Sequence, residues 1–328
     1  MEKLKGVFSA IVTPMNADES VNVQALKPLI DMNLERGAAG FYVCGSTGES
    51  YMLSLDERKR LLEGVVEANA GRGRVMANIG TFCLKQSLEL ARHAASLGVL
   101  AISSVAPFYF PFTKDELVNY YFALAEESGK PTLVYNVPAL AGVEFTTEDL
   151  FRLLEHPGIA GIKQTSMNLF QTELLARHFP EKSIINGHDE IFLSALSVGV
   201  TSCIGSTVSF MPEMYVEIFK RYNAHDYAAA QRLQGRVNEI VAVLCKIGVF
   251  KGCKAALQDM GIDCGSCRKP FAPLSDDERK LLRETIQRYG NAVVQEECGK
   301  VGDAVTAWTF DEKERYLAAG GILYERNN

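Results

Sequence analysis

The chain has 328 residues, 47% of them hydrophobic and 23% charged, which is too apolar for disorder and long enough for one large α/β domain with an appendage, or for two equal domains. A net charge of −6 and a pI near 5.6, without a basic arm or block, argue against nucleic-acid and anionic-membrane partners. No apolar run approaches a membrane span, and the opening Met1-Glu2-Lys3-Leu4-Lys5-Gly6 lacks the apolar stretch of a signal peptide, so a cytoplasmic protein is expected.

Short β-rich runs alternate with segments of helical spacing along the chain. A strand over 6–14 precedes a helix over 23–36, a strand over 39–45 a helix over 54–70, one over 74–80 a helix over 85–97, and one over 99–107 a helix over 114–128. The rhythm continues with strands over 131–138, 159–165, 183–189 and 201–206, followed by helices near 147–154, 169–179, 191–197 and over 212–222. Eight strand-then-helix units in about 220 residues match a (β/α)8 TIM barrel. An open doubly wound sheet is the competitor, but no Gly-x-Gly-x-x-Gly follows the first strand and polar residues recur at the C-terminal strand ends, which favours the barrel.

After Tyr222 the strand signal disappears. Helices are expected over 226–242, 251–260 and 276–289, with a Gly/Cys/Pro-rich connection over 261–273. The resulting division is a barrel over 1–224, a C-terminal helical region over 225–297 and an extension over 298–328 that carries Trp308 and a short helix over 311–319. Eight scattered cysteines read as reduced thiols, and Cys264-Gly265-Ser266-Cys267 as a loop pair rather than a metal half-site or redox pair, because no second Cys/His group completes it.

Several strand ends carry chemistry. Gly45-Ser46-Thr47-Gly48-Glu49-Ser50 is a small-residue turn whose N–H groups and two hydroxyls suit a carboxylate, although such turns also arise from backbone geometry alone. Tyr135 ends the fifth strand, either as a proton relay or as a packed core phenol. Lys163 ends the sixth in Ala160-Gly161-Ile162-Lys163-Gln164-Thr165-Ser166. An ordinary lysine, with a pKa of about 10.4, carries little free amine at neutral pH, so a nucleophilic one needs burial or neighbouring positive charge. Asn186-Gly187-His188-Asp189-Glu190 ends the seventh with adjacent acids that either cap a helix or accept hydrogen bonds from a polyhydroxylated ligand. Metal binding there is disfavoured, since His188 should point away from its neighbours on an extended segment. Ser206 ends the eighth, to bind a ligand or begin a helix. In a barrel all these ends share one mouth.

Gly45-Ser46-Thr47-Gly48-Glu49, Tyr135-Asn136-Val137-Pro138 and Gly161-Ile162-Lys163, in this order and spacing, resemble the Schiff-base class I aldolases of the N-acetylneuraminate lyase and dihydrodipicolinate synthase superfamily. The resemblance spans roughly 4–295 and includes Gly248-Val249-Phe250-Lys251-Gly252 and Cys267-Arg268-Lys269-Pro270-Phe271. Leu140 stands where the synthase branch usually has an arginine, and Lys163-Gln164-Thr165-Ser166 with Asn186 to Phe192 and Ile204-Gly205-Ser206-Thr207 is similar to the sialic acid lyase branch. Met167-Asn168 and His188 depart from some members, which leaves the sugar acid open.

By that resemblance Lys163 forms an iminium with a 2-oxo acid and Tyr135 relays the proton, while Ser46 and Thr47 hold the carboxylate. Thr165, Gly187, Asp189, Glu190 and Ser206 bind the sugar's hydroxylated tail, and Tyr109, in Pro107-Phe108-Tyr109-Phe110-Pro111-Phe112, enters a neighbouring subunit's site. The resemblance implies sialic acid and pyruvate as small-molecule partners, a homotetramer, and no metal or organic cofactor, because the lysine serves as electron sink. The rivals are another pyruvate-dependent aldolase, such as 4-hydroxy-tetrahydrodipicolinate synthase, and a non-catalytic barrel that binds sugar acids.

Overall fold

The computed structural model describes residues 2–290; the expected extension over 298–328, with Trp308 and the helix over 311–319, lies outside the described residues, as do residues 291–297. Eight parallel strands close into a barrel in sequence order, β1 pairing with β8. In chain order the elements are β1 (Gly6–Ala10), α1 (Leu26–Glu35), β2 (Gly40–Val43), α2 (Leu55–Asn69), β3 (Arg74–Asn78), α3 (Leu84–Ser96), β4 (Ala101–Val105) and α4 (Lys114–Glu127). There follow β5 (Thr132–Asn136), α5 (Pro138–Ala141), α6 (Thr147–Glu155), β6 (Ile159–Gln164), α7 (Leu169–His178), β7 (Ser183–Asn186), α8 (Phe192–Ser197), β8 (Ser202–Gly205) and α9 (Pro212–Asn223). Three further helices, α10 (Tyr227–Ile247), α11 (Val249–Asp259) and α12 (Asp276–Tyr289), form the C-terminal region.

The strands are short, nearly all-buried runs because helices cover their outer faces while side chains fill the inside. Phe8, Tyr42, Met76, Leu133, Ile185 and Ile204 pack in that interior. Four helices start from reciprocal caps, Ser54 with Glu57, Thr113 with Glu116, Thr146 with Asp149 and Ser275 with Glu278. Each cap satisfies backbone donors that the helix itself leaves free, contributing about 1 kcal/mol.

Most strands are shorter than expected, β7 ending at Asn186 rather than at 189, and three departures from the sequence expectation matter most. The first strand leaves the ladder at Ala10 rather than at Pro14: Met15 donates to the Cys264 carbonyl at 3.1 Å and bridges antiparallel to Val21, so residues 11–15 stay buried while crossing towards the C-terminal region. Helix α5 was not expected, since four residues cannot display a period. It is punctuated by Pro138 at its start and Gly142, with φ of 62°, at its end. Helix α10 runs to Ile247 rather than stopping at 242, because residues 240–245 are apolar on nearly every face and hide its end, which Gly248 supplies.

The decisive irregularity lies between β5 and β6. Thr132 pairs with Ile159, but Leu133 pairs with Gly161, so Ala160 is one residue extra. From there Tyr135 stands opposite Lys163 and Asn136 opposite Gln164. Without the shift Ile162 would stand beside Tyr135, and Lys163 would carry its side chain to the other face of the sheet.

Helix α10 packs on α9, on α12 and on the turn after β7, which ties the C-terminal region to the barrel's mouth. Among the described residues no helix is long and apolar enough to cross a membrane, and all seven cysteines there, Cys264 and Cys267 included, are free.

Two glycines are dictated by strand contact. A Cβ on Gly40 would lie 2.0 Å from the Arg74 carbonyl oxygen, and one on Gly161 2.1 Å from that of Ser183. Gly40 is the cleaner test because Gly161 lies on β6 itself, two residues before Lys163. Gly40→Ala is expected to lower unfolding free energy by about 1–3 kcal/mol in denaturant titration, the range for overpacking a closed interior.

Candidate active site

Lys163 projects into the barrel from β6 and is only 4% exposed. Its Nζ lies 4.1 Å from the centre of the Tyr135 ring and 4.6 Å from that of Tyr42, an aromatic sandwich made by β5 and β2. The two rings meet edge to face, with centres 5.9 Å apart, and the Tyr42 hydroxyl is bonded to Ser103 Oγ at 3.0 Å. Among the described residues no carboxylate forms an ion pair with Lys163. The amine therefore lies against ring surface rather than against a counter-ion.

The turn after β2 supplies two hydroxyls, one towards Tyr135 and one towards Ser206. Ser46 Oγ lies 3.4 Å from the Tyr135 hydroxyl, and Thr47 Oγ1 lies 2.7 Å from Ser206 Oγ. A Cβ on Gly45 would strike the Tyr42 ring at 2.7 Å, so the turn approaches the sandwich only because Gly45 has none. A buried amide chain steadies the strand ends: Asn136 Nδ2 donates to Gln164 Oε1 at 2.9 Å, and Gln164 Nε2 to Gln171 Oε1 at 2.9 Å.

On the opposite side, Thr165 Oγ1 is buried with no hydrogen-bond partner and lies where a Cβ on Gly187 would be 1.9 Å away. Asp189 Oδ2 accepts from the backbone N–H and hydroxyl of Thr207, both at 2.8 Å, and its Oδ1 lies against Gly205. Burial pushes the Asp189 carboxyl up to about 6 against the pull of those two hydrogen bonds, with Glu190 adding to the rise and Lys163 opposing it. For Glu190, burial works upward too, yet hydrogen bonds from His188 and the backbone outweigh it and hold the carboxyl below its ordinary value. The imidazole expected to point away does meet one acid: His188 Nδ1 lies 3.1 Å from Glu190 Oε1, because the chain leaves the extended form and coils into a short 3-10 helix over Asp189–Ile191.

Ser46, Thr47, Tyr135, Lys163, Thr165, Gly187, Asp189, Glu190 and Ser206 thus all belong to the C-terminal strand ends of the barrel. Tyr109 stands apart. It is 75% exposed and packs edge-on to Phe110 and Phe82 on the rim. Beside the hydroxyl turn a cavity of about 170 Å³ is lined by Ser46, Tyr51, Phe108, Leu140, Phe250 and Phe271, with Leu140 60% exposed.

Sequence reasoning missed four contributors. Tyr42 sits in an unremarked apolar strand, and only closure brings it to Lys163. Gln234 of α10 donates to the Asp189 carbonyl at 3.1 Å and accepts from Leu193 N–H at 3.0 Å. Glu49 and Lys254 form a buried ion pair at 2.6 Å. For Glu49 a signal existed, since it belongs to the turn motif; for the others nothing in the local pattern pointed to the mouth.

Because the folded-state pKa of Asp189 lies above its ordinary 3.8, the folded chain holds this proton more tightly than the unfolded chain. Its contribution to stability is complete below about 3.8 and lost as pH rises through about 6. Asp189→Asn is therefore expected to flatten the pH dependence of thermal unfolding between pH 4 and 8 and to match or exceed the parent's midpoint at pH 8. A larger loss at pH 8 than at pH 4 overturns the burial account.

Known proteins resemble this chain in sequence and fold. Residues 3–289 match the Dihydrodipicolinate synthetase family. The chain is 39% identical over 284 residues to the N-acetylneuraminate lyase of Rhizobium meliloti strain 1021, covering 87% of this chain and 95% of that one. It is 40% identical over 277 residues to the N-acetylneuraminate lyase of Enterobacter sp. strain 638, covering 84% and 93%. The solved structure of CdNal from Clostridium difficile in complex with mannosamine superposes with a TM-score of 0.85 at 30% identity, over 88% of this chain and 99% of that one. With residues 3–289 matched, the chain belongs to the dihydrodipicolinate synthetase family.

Proposed function

We propose that the protein is a class I aldolase that cleaves N-acetylneuraminate to N-acetylmannosamine and pyruvate through a Schiff base on Lys163. The observation that carries this is the buried Lys163 amine set against the Tyr42 and Tyr135 rings, with Ser46 Oγ beside the Tyr135 hydroxyl. The lyases of R. meliloti and Enterobacter support the choice of sugar acid.

In the reaction Lys163 Nζ adds to the C2 ketone of the open-chain sugar and expels water, leaving an iminium. Ser46 and Thr47 donate to the C1 carboxylate and keep the ketone over the amine. Tyr135, whose hydroxyl faces Ser46, takes the proton of the C4 hydroxyl. The C3–C4 bond then breaks, its electron pair passes into the iminium to give the enamine, and N-acetylmannosamine leaves as the aldehyde. A proton at C3 and a water at C2 release pyruvate and restore the amine. Thr165, Gly187, Asp189, Glu190 and Ser206 line the side of the mouth where the hydroxylated tail lies, the unpartnered Thr165 hydroxyl being a ready donor.

The synthase reading is disfavoured by Leu140, an aliphatic side chain at the cavity where a second carboxylate would need a cation. We also read residues 1–224 as the catalytic barrel, 225–297 as a helical region and 298–328 as an extension. The cytoplasm is the proposed location, since the seven cysteines among the described residues are free, which suits a reducing compartment. A homotetramer is the proposed assembly, in which the exposed aromatic rim of Phe82, Tyr109, Phe110 and Phe112 faces another copy and Tyr109 reaches its site.

Borohydride added with pyruvate is expected to leave a covalent adduct on Lys163, seen by peptide mass spectrometry, and none on Lys163→Ala; an adduct elsewhere sinks the assignment. Tyr135→Phe should still trap pyruvate while kcat for cleavage drops about 10²–10⁴-fold, the usual worth of a positioned acid–base group. An activity panel should show pyruvate release from N-acetylneuraminate and no condensation with aspartate semialdehyde. In light scattering the particle mass should be four times that of the 36.1 kDa chain.

A further inference from the structure

The hydroxyl turn is bracketed by two residues in the left-handed backbone region, Cys44 with φ of 57° and Glu49 with φ of 56°, neither of them glycine. Such backbone is held against a cost of about 1–2 kcal/mol per residue and persists only where the surroundings enforce it. The barrel enforces the first: Asn78 Nδ2 donates to the Cys44 carbonyl at 2.7 Å. The second is enforced from a different part of the chain. Glu49 Oε1 pairs with Lys254 Nζ of α11 at 2.6 Å, and its Oε2 accepts from the Arg268 backbone N–H at 2.7 Å. Both side chains of the ion pair are almost wholly buried, 1% exposed for Glu49 and 2% for Lys254. Lys254 is itself aimed by a bond to the Ser266 carbonyl at 2.9 Å.

Glu49 closes the turn through its own backbone, its N–H donating to the Ser46 carbonyl at 3.0 Å. The backbone of Ser46 and the side chain of Lys254 are therefore joined through one residue. Burying an ion pair is a poor way to gain stability, because desolvation offsets the attraction and an apolar pair often serves as well. Its placement under the turn gives it another use.

We propose that Lys254 is a positioning residue for the reaction: by holding Glu49 in its left-handed conformation it sets the Ser46 and Thr47 hydroxyls for the substrate carboxylate. The C-terminal helical region thereby completes the binding turn rather than merely covering the barrel. This inference rests on the reading of Ser46 and Thr47 as carboxylate ligands.

The test uses the full-length protein, the Lys254→Met and Lys254→Arg variants, and the double variant Glu49→Gln/Lys254→Met, which removes both charges. The pyruvate concentration that gives half-maximal borohydride trapping is expected to rise about tenfold to a hundredfold in Lys254→Met, with KM rising alongside and kcat at saturation little changed, as for a displaced positioning group. Lys254→Arg, which keeps the charge, should fall between, and it carries the test if Lys254→Met does not fold. The double variant should regain thermal midpoint without regaining pyruvate affinity, since no charge is left unpaired yet the turn is no longer held. A purely structural ion pair would lower the midpoint and leave half-trapping where it was, and that result overturns the inference. Parent protein that traps no pyruvate overturns the proposed function instead; parent that traps it while every folded variant traps at the same concentration overturns only the role of Lys254.

Discussion

In a closed parallel barrel the side-chain phase of each strand is fixed by the neighbours it bonds to, so an irregularity in one ladder decides what faces the interior. The one-residue shift between β5 and β6 is such an irregularity. It places Lys163 level with Tyr135, and barrel closure brings Tyr42 against the same amine. With the ladder slipped by one residue, an isoleucine would occupy that level and the lysine would face the helical layer. The proposed chemistry therefore depends on a backbone detail before it depends on any side chain.

The mouth combines two kinds of polar burial. One is neutral, as in the Asn136–Gln164–Gln171 chain, whose amide bonds steady the strand ends at little electrostatic cost while Asn136 Oδ1 is left without a partner. The other is charged: Asp189 is buried under Thr207, and Glu49 is buried against Lys254. Burial raises the Asp189 carboxyl, so its charged form works against the fold near neutral pH. Such arrangements are what a binding surface for a polar substrate requires, since groups already desolvated and aimed need no reorganisation when the ligand arrives.

Helices α10 and α11 and the connection that follows α11 contribute to both halves of this mouth. Gln234 reaches the Asp189 turn while Lys254 and Arg268 reach Glu49. Arg268 also grips Glu57, the capping residue of α2, with two bonds at 2.9 Å and 2.6 Å, which holds the Glu57 carboxyl down to about 2. The segment that looked like a covering in the sequence is thus bonded to the turns that bear the site.

Much of this protein was legible in its sequence because barrel strands and their helices differ in period, and because turns need small residues. The eight units, the Gly45–Gly48 turn and the strand-end positions of Tyr135, Lys163, Asp189 and Ser206 all follow from local pattern. What only the tertiary structure decided are relations between distant segments: Tyr42 against Lys163, Lys254 beneath Glu49, and Gln234 on the Asp189 turn. None leaves a trace in periodicity, because a tyrosine in an apolar strand or a lysine on an amphipathic helix is chosen by a partner up to two hundred residues away. The Ala160 shift is the sharpest case. The composition of β6 specifies a buried strand, but which of its residues turns inward is determined by hydrogen bonds to β5, and a single residue of register separates a lysine facing the helical layer from one inside the barrel.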